Sequence, residues 1–80
     1  MEIKRTNRFE KIFNKLDNNL KLKVIKQIEK IIKNPEIGKP MRYNRKNTRE
    51  LYLKPFRISY TFYKNELIIL FLNIYHKKSQ

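Results

Sequence analysis

The chain has 80 residues, with 20 Lys and Arg against seven Asp and Glu, a formal net charge of +13 and no cysteine. That length holds one domain, residues 1–80, around a small core and excludes a fold of three or more layers. The missing cysteines exclude disulfide staples and thiolate metal sites; with one histidine, His76, and no spaced carboxylates, neither a metal nor a cofactor is expected.

A hydrophobic fraction of 40%, with five Phe and five Tyr, is enough for a packed core and argues against disorder. The longest apolar run, Leu67 to Leu72, is far short of the roughly 20 residues that cross a bilayer. The N-terminus carries no apolar stretch of a secretory signal, so a cytoplasmic protein without membrane contact is expected. The basic surplus implies an anionic partner, either nucleic acid or an acidic protein. It is concentrated: from Lys39 to Arg57 there are seven basic residues, four of them arginine, and a single acid, Glu50.

Met1 to Arg5 reads as a short strand with Ile3 inward. Asn7 with Glu10 resembles a capping box opening a helix whose Phe9, Ile12, Phe13 and Leu16 make one stripe. Asp17-Asn18-Asn19 is a turn and cap. A second helix follows with Leu20, Val24, Ile25, Ile28, Ile31 and Ile32 inward and lysines outward, stopped by Asn34-Pro35. So short a link predicts an antiparallel helical hairpin. Pro35 to Asn47 reads as a basic loop. Arg49 to Leu53 alternates, with Leu51 and Leu53 on one face, and Lys54-Pro55 makes a tight connection. In the next strand Phe56, Ile58, Tyr60 and Phe62 share one face, and Arg57, Ser59, Thr61 and Tyr63 share the other. After Lys64-Asn65 turns the chain, Leu67 to Ile74 is apolar except at Asn73, which suits a central strand buried on both faces. The expected fold is α+β: an N-terminal strand and a helical hairpin packed on one face of a roughly four-stranded, mainly antiparallel sheet. The Arg57 face is left open for a ligand.

Arg57 near the start of one strand, and His76, Lys77 and Lys78 past the end of the next, form a candidate phosphate site. Arg45, Lys46, Arg49 and Lys54 are candidate phosphate contacts, arginine being suited by its planar fork of donors. Tyr52, Tyr63 and Tyr75 are candidates for stacking bases or simply for covering the sheet. His76 carries the side chain whose reference pKa lies near neutrality, so it is the candidate proton carrier. Glu50, opposite in direction to Leu51 and Leu53, is either a general base or an ion-pair partner of Arg57.

Three groups of residues then carry a family resemblance: Arg49-Glu50-Leu51-Tyr52-Leu53, Phe56-Arg57-Ile58-Ser59-Tyr60, and Leu67-Ile68-Ile69-Leu70 followed by Tyr75-His76-Lys77-Lys78. In order and spacing they resemble the RelE/ParE toxin superfamily of toxin–antitoxin modules. The resemblance implies a ribosome-dependent mRNA endonuclease that works without metal, binds mRNA and the ribosome, and is neutralised by an acidic RelB-like antitoxin. It implies that Arg57 contacts the scissile phosphate, Lys77 stabilises the transition state and His76 donates a proton. The sequence departs from several members in lacking a tyrosine beyond the last strand. Two alternatives share the fold or the charge: a ParE-like toxin that inhibits DNA gyrase by protein contact, and an RNA-binding module without catalysis.

Overall fold

The computed structural model describes residues 1–76. Lys77 and Lys78, expected as cations after the last strand, lie outside the described residues. The elements run β1 (Glu2–Arg5), α1 (Asn7–Lys15), α2 (Asn18–Lys33), β2 (Lys39–Pro40), a 3-10 turn (Tyr43–Arg45), β3 (Arg49–Leu53), β4 (Phe56–Tyr63) and β5 (Ile68–His76). No helix among the described residues is long and apolar enough to cross a membrane.

Both helices begin at a side chain that satisfies an orphan amide. The cap of α1 is Thr6, which accepts from the Phe9 N–H at 3.1 Å, one residue before the expected Asn7. The Thr6 hydroxyl also donates to the Leu72 carbonyl at 2.7 Å. This tertiary tie to β5 selects Thr6 over its neighbour. Asp17 caps α2 by accepting from the Leu20 N–H at 2.8 Å.

The strands order as β1-β5-β4-β3-β2, with β1 parallel to β5 and the other pairs antiparallel. The α+β class and the helical hairpin on one face are as the sequence predicts. The sheet has five strands among the described residues rather than four. The addition, β2, is two residues inside the segment read as a loop, paired to Glu50 and Arg49; so short a piece has no periodicity to read.

Ile58, Tyr60, Ile69, Phe71 and Ile74 of the sheet meet Phe9, Val24 and Ile31 of the helices, all at most 1% exposed. The alternation in β4 therefore points as expected, Ile58 inward and Arg57 outward. β5 departs from expectation. Ser59 pairs with Asn73 but Tyr60 pairs with Phe71, so Leu72 is an extra residue, a bulge. Ile74 and Phe71 consequently share the covered face although they are three apart. Ile68, Leu70 and Leu72 are only half-buried, so β5 is not buried on both faces. Ile25 and Ile32, expected inward, are 42% and 39% exposed. α1 packs mainly on β5 and α2 on β3, and this flank of α2 is left uncovered.

Candidate anion-binding site

Residues directly paired across strands project from the same face of a sheet. Tyr52 pairs with Arg57 and Arg57 with Tyr75; Glu50 pairs with Ser59 and Ser59 with Asn73. These six residues form two rows on the open face. The 3-10 turn then lays Arg45 over them. Its backbone is pinned on both sides: the Thr48 hydroxyl donates to the Arg45 carbonyl at 2.6 Å, and the Thr61 hydroxyl to the Asn47 carbonyl at 2.7 Å.

Glu50 is the centre of the arrangement. Its side chain is 2% exposed, and Arg45 Nη1 lies 3.3 Å from Oε2 while Arg57 Nη1 lies 3.6 Å from Oε1. The Tyr75 hydroxyl donates to Oε2 and accepts from Arg45 Nη1 at 3.1 Å. Each guanidinium also faces a ring, Arg45 over Tyr75 and Arg57 over Tyr52, both at 5.6 Å. A carboxylate withdrawn from water is tolerated only when paired and hydrogen-bonded, and here two cations and a hydroxyl surround it. The cluster keeps a surplus positive charge. Beside it opens a cleft of about 310 Å³, lined by Asn44, Arg45, Glu50, Asn73 and Tyr75 among others. Among the described residues, the buried side-chain atoms without a hydrogen-bond partner are Glu50 Oε1, Arg57 Nε and Asn73 Oδ1. All three belong to this face. What such a face can do chemically is hold an anion between two arginines, with flat rings alongside.

The expected site residues divide accordingly. Arg57, Arg45 and Tyr52 come together. Lys46 is exposed on a neighbouring cleft of about 400 Å³ that also involves Tyr63, and Lys54 is exposed in the β3–β4 turn. Arg49 is not on this face. It pairs with Tyr60 on the covered side and donates to the Glu36 and Gly38 carbonyls at 3.0 and 2.8 Å, so it braces the loop after α2. His76 is also turned away: it pairs with Phe56 on the helix side, the rings edge to face at 5.7 Å. The expectation that His76 and Arg57 share a site therefore does not hold.

The cause is the bulge. Counting outward from the β4–β5 turn without it, Arg57 faces Ile74 and His76 falls on the Arg57 face. One extra residue exchanges the faces for everything beyond it, so Tyr75 takes that place. The sequence offers Tyr75 for stacking bases or for covering the sheet, and gives no sign that its hydroxyl meets Glu50. For Glu50 itself it held the pairing with Arg57 as one of two alternatives, and that pair is present.

The loop that carries Arg45 is anchored at its start by Tyr60, which is fully buried. Its hydroxyl donates to the Pro35 carbonyl at 2.8 Å and accepts from the Gly38 N–H at 2.9 Å. Burial raises the Tyr60 pKa, against the opposing pull of the Gly38 amide and the Arg49 charge.

The family model described as the ParE toxin of type II toxin–antitoxin systems matches residues 3–80. No curated protein is significantly similar in sequence. Among solved structures, the fold is similar to a RelBE toxin–antitoxin complex of Mycobacterium tuberculosis, at 18% identity and TM-score 0.84, covering 95% of this chain and 96% of that one. The intact Escherichia coli RelBE complex gives 13% identity and TM-score 0.79, with 91% and 92% covered. The isolated Escherichia coli RelE toxin gives 13% and 0.80, with 94% and 82% covered. At such identities these likenesses establish the fold.

Proposed function

This chain belongs to the ParE toxin family of type II toxin–antitoxin systems, within the RelE/ParE superfamily, and from the chemistry of its open face we propose that it inhibits translation by binding and cutting mRNA on the ribosome. The observation that carries the reading is the convergence of Arg45 and Arg57, from separate segments, on one open face with a tyrosine ring beside each. Guanidinium forks suit phosphates, and exposed rings suit unstacked bases. The net charge of +13 supports the same class of partner.

In the proposed reaction the ribose 2′-oxygen bonds to the adjacent phosphorus and the bond from phosphorus to the 5′-oxygen breaks. The departing 5′-oxygen takes a proton from water, so the products are a 2′,3′-cyclic phosphate and a 5′-hydroxyl. Arg57 and Arg45 stabilise the extra negative charge of the phosphorane. Glu50 is the carboxylate of that face able to accept the 2′-hydroxyl proton, and Lys77 and Lys78 add cations beyond the last strand. Ribosomes and mRNA are the partners of this activity, in the cytoplasm. An acidic RelB-like antitoxin is the partner that silences it, drawn by the basic surface and by the exposed apolar flank of Leu22, Ile25 and Ile32 on α2.

Primer extension on a defined mRNA with purified ribosomes tests the reading. Wild type should cut, and Arg57→Ala should lose about a hundredfold in rate, the usual worth of one such electrostatic contact. If Arg57→Ala cuts like wild type the phosphate site is wrong. If wild type leaves mRNA intact and instead blocks gyrase supercoiling, the protein-contact alternative replaces it.

A further inference from the structure

Glu50 fills the place where the proposed function needs a phosphate. We infer that the Glu50 carboxylate is a built-in competitor for RNA: it occupies the anion seat between Arg45 and Arg57, and RNA binds by taking Arg45 away from it. The inference rests on the RNA reading above and adds a latch to it.

Three features favour a latch over a permanent brace. The first is the asymmetry of the two arginines. Arg57 rises from a strand and its side chain is 23% exposed, whereas the Arg45 side chain is 44% exposed and sits on a three-residue turn. Arg45 can leave without unfolding anything, because the Thr48 and Thr61 hydroxyls hold the turn by its carbonyls and not by its side chain. The second is strain. Tyr43 and Asn47, flanking Arg45, have φ of 59° and 75°, a region that non-glycine residues adopt at a cost and keep only where surrounding contacts impose it. The backbone of the turn is thus held by its surroundings, so a swing of the Arg45 side chain does not require it to move. The third is the set of unpartnered atoms. Glu50 Oε1 and Arg57 Nε are buried without hydrogen-bond partners, so the closed arrangement leaves part of the seat unsatisfied. A phosphodiester, with several acceptor oxygens, can engage both guanidinium forks at once.

The Tyr75 hydroxyl is the bolt. It accepts from Arg45 and donates to Glu50, bridging the two partners of the ion pair. When Arg45 turns to a phosphate, Glu50 keeps Arg57 and the Tyr75 hydroxyl, while its Oε2 loses the Arg45 guanidinium that covers it in the closed arrangement. The group proposed to accept the 2′-hydroxyl proton would then be released by the same movement that binds the substrate.

A latch taxes affinity, since the apparent Kd is the intrinsic Kd divided by the open fraction; one closed about 90% of the time costs about tenfold. The test measures binding of a fluorescent 2′-O-methyl RNA, which cannot be cut, by wild type, Glu50→Gln, Tyr75→Phe, Arg57→Ala and Glu29→Gln. Glu29 is exposed on α2, so Glu29→Gln matches the charge change of Glu50→Gln away from the site. Expected is tighter binding by Glu50→Gln, about tenfold and beyond the gain of Glu29→Gln. Tyr75→Phe should tighten binding in the same direction with no change of charge, and circular dichroism of each variant should match wild type. The latch is overturned if Glu50→Gln gains no more than Glu29→Gln, or if Glu50→Gln and Tyr75→Phe weaken binding while Arg57→Ala also weakens it; Glu50 then positions the arginines. Should Glu50→Gln fail to fold, Tyr75→Phe decides alone. If Arg57→Ala binds RNA as wild type does, the RNA reading fails and the latch falls with it.

Discussion

Gly38 is the single glycine of the chain, and replacing it with alanine tests how the loop carrying Arg45 is anchored. A Cβ built there would lie 2.6 Å from the Tyr60 hydroxyl oxygen and 2.8 Å from Cε1 of the same ring. Real Cβ contacts do not come so close, and Tyr60 is fully buried with its hydroxyl bonded on both sides, so the ring has little room to retreat. Overpacking of this kind costs about 1–3 kcal/mol. The loss of glycine's freedom in the unfolded chain returns about 0.4–1 kcal/mol, so mid-range values of about 2 and about 0.7 kcal/mol leave a net destabilisation of about 1.3 kcal/mol. For a domain this size, 1 kcal/mol moves Tm by about 4–8 °C, so a drop of about 5–10 °C is expected in a thermal melt followed by circular dichroism. In a Tyr60→Phe background the nearest contact is gone and the penalty of Gly38→Ala should shrink, a coupling that a double-mutant cycle measures. A neutral or stabilising Gly38→Ala, or equal penalties in both backgrounds, would refute the argument that Tyr60 sets the loop.

Tyr60 also predicts a pH dependence. Its folded pKa is raised by burial, so its contribution to stability is complete below the unfolded value of about 10 and is lost as pH rises from there through the folded value; urea midpoints should fall less steeply above pH 10 in Tyr60→Phe than in wild type, and parallel curves would contradict this. The two faces of the sheet predict opposite outcomes for two arginines. Arg45→Ala should flatten the salt dependence of RNA binding by about 0.7 in the log–log slope, the value for one single-strand phosphate contact. Arg49→Ala should leave that slope alone and lower Tm instead, because it removes the donors to the Glu36 and Gly38 carbonyls; a slope change for Arg49→Ala would return it to the binding surface.

Local chemistry was enough for much of this protein. Apolar spacing marked both helices, since a stripe at helical period reports burial directly. Strict alternation from Phe56 to Phe62 told which side of β4 would be covered, and so that Arg57 faces out. The arginine and lysine content raises the expectation of an anionic partner without any site being visible. Where the packing was asymmetric the sequence was less informative: six apolar positions on α2 read alike, yet Val24 and Ile31 are buried while Ile25 and Ile32 are not. Which of them is covered depends on how the helices are set on the sheet, and no residue of α2 encodes that.

The composition of the candidate site was decided only in three dimensions. A continuous apolar run such as Leu67 to Leu72 has no alternation, so it carries no phase, and nothing in it reveals that Leu72 bulges. That one extra residue turns His76 to the helix side and Tyr75 toward Glu50. Glu50 and Arg57 were legible as possible partners because each lies on an alternating strand. Arg45 was legible only as one cation among many, since its position depends on the turn held by Thr48 and Thr61. Sequence by itself determined the elements and the charge, because those follow from short-range periodicity and composition. Tertiary structure decided which side chains meet, because strand register and loop anchoring are set by contacts between residues far apart in the chain.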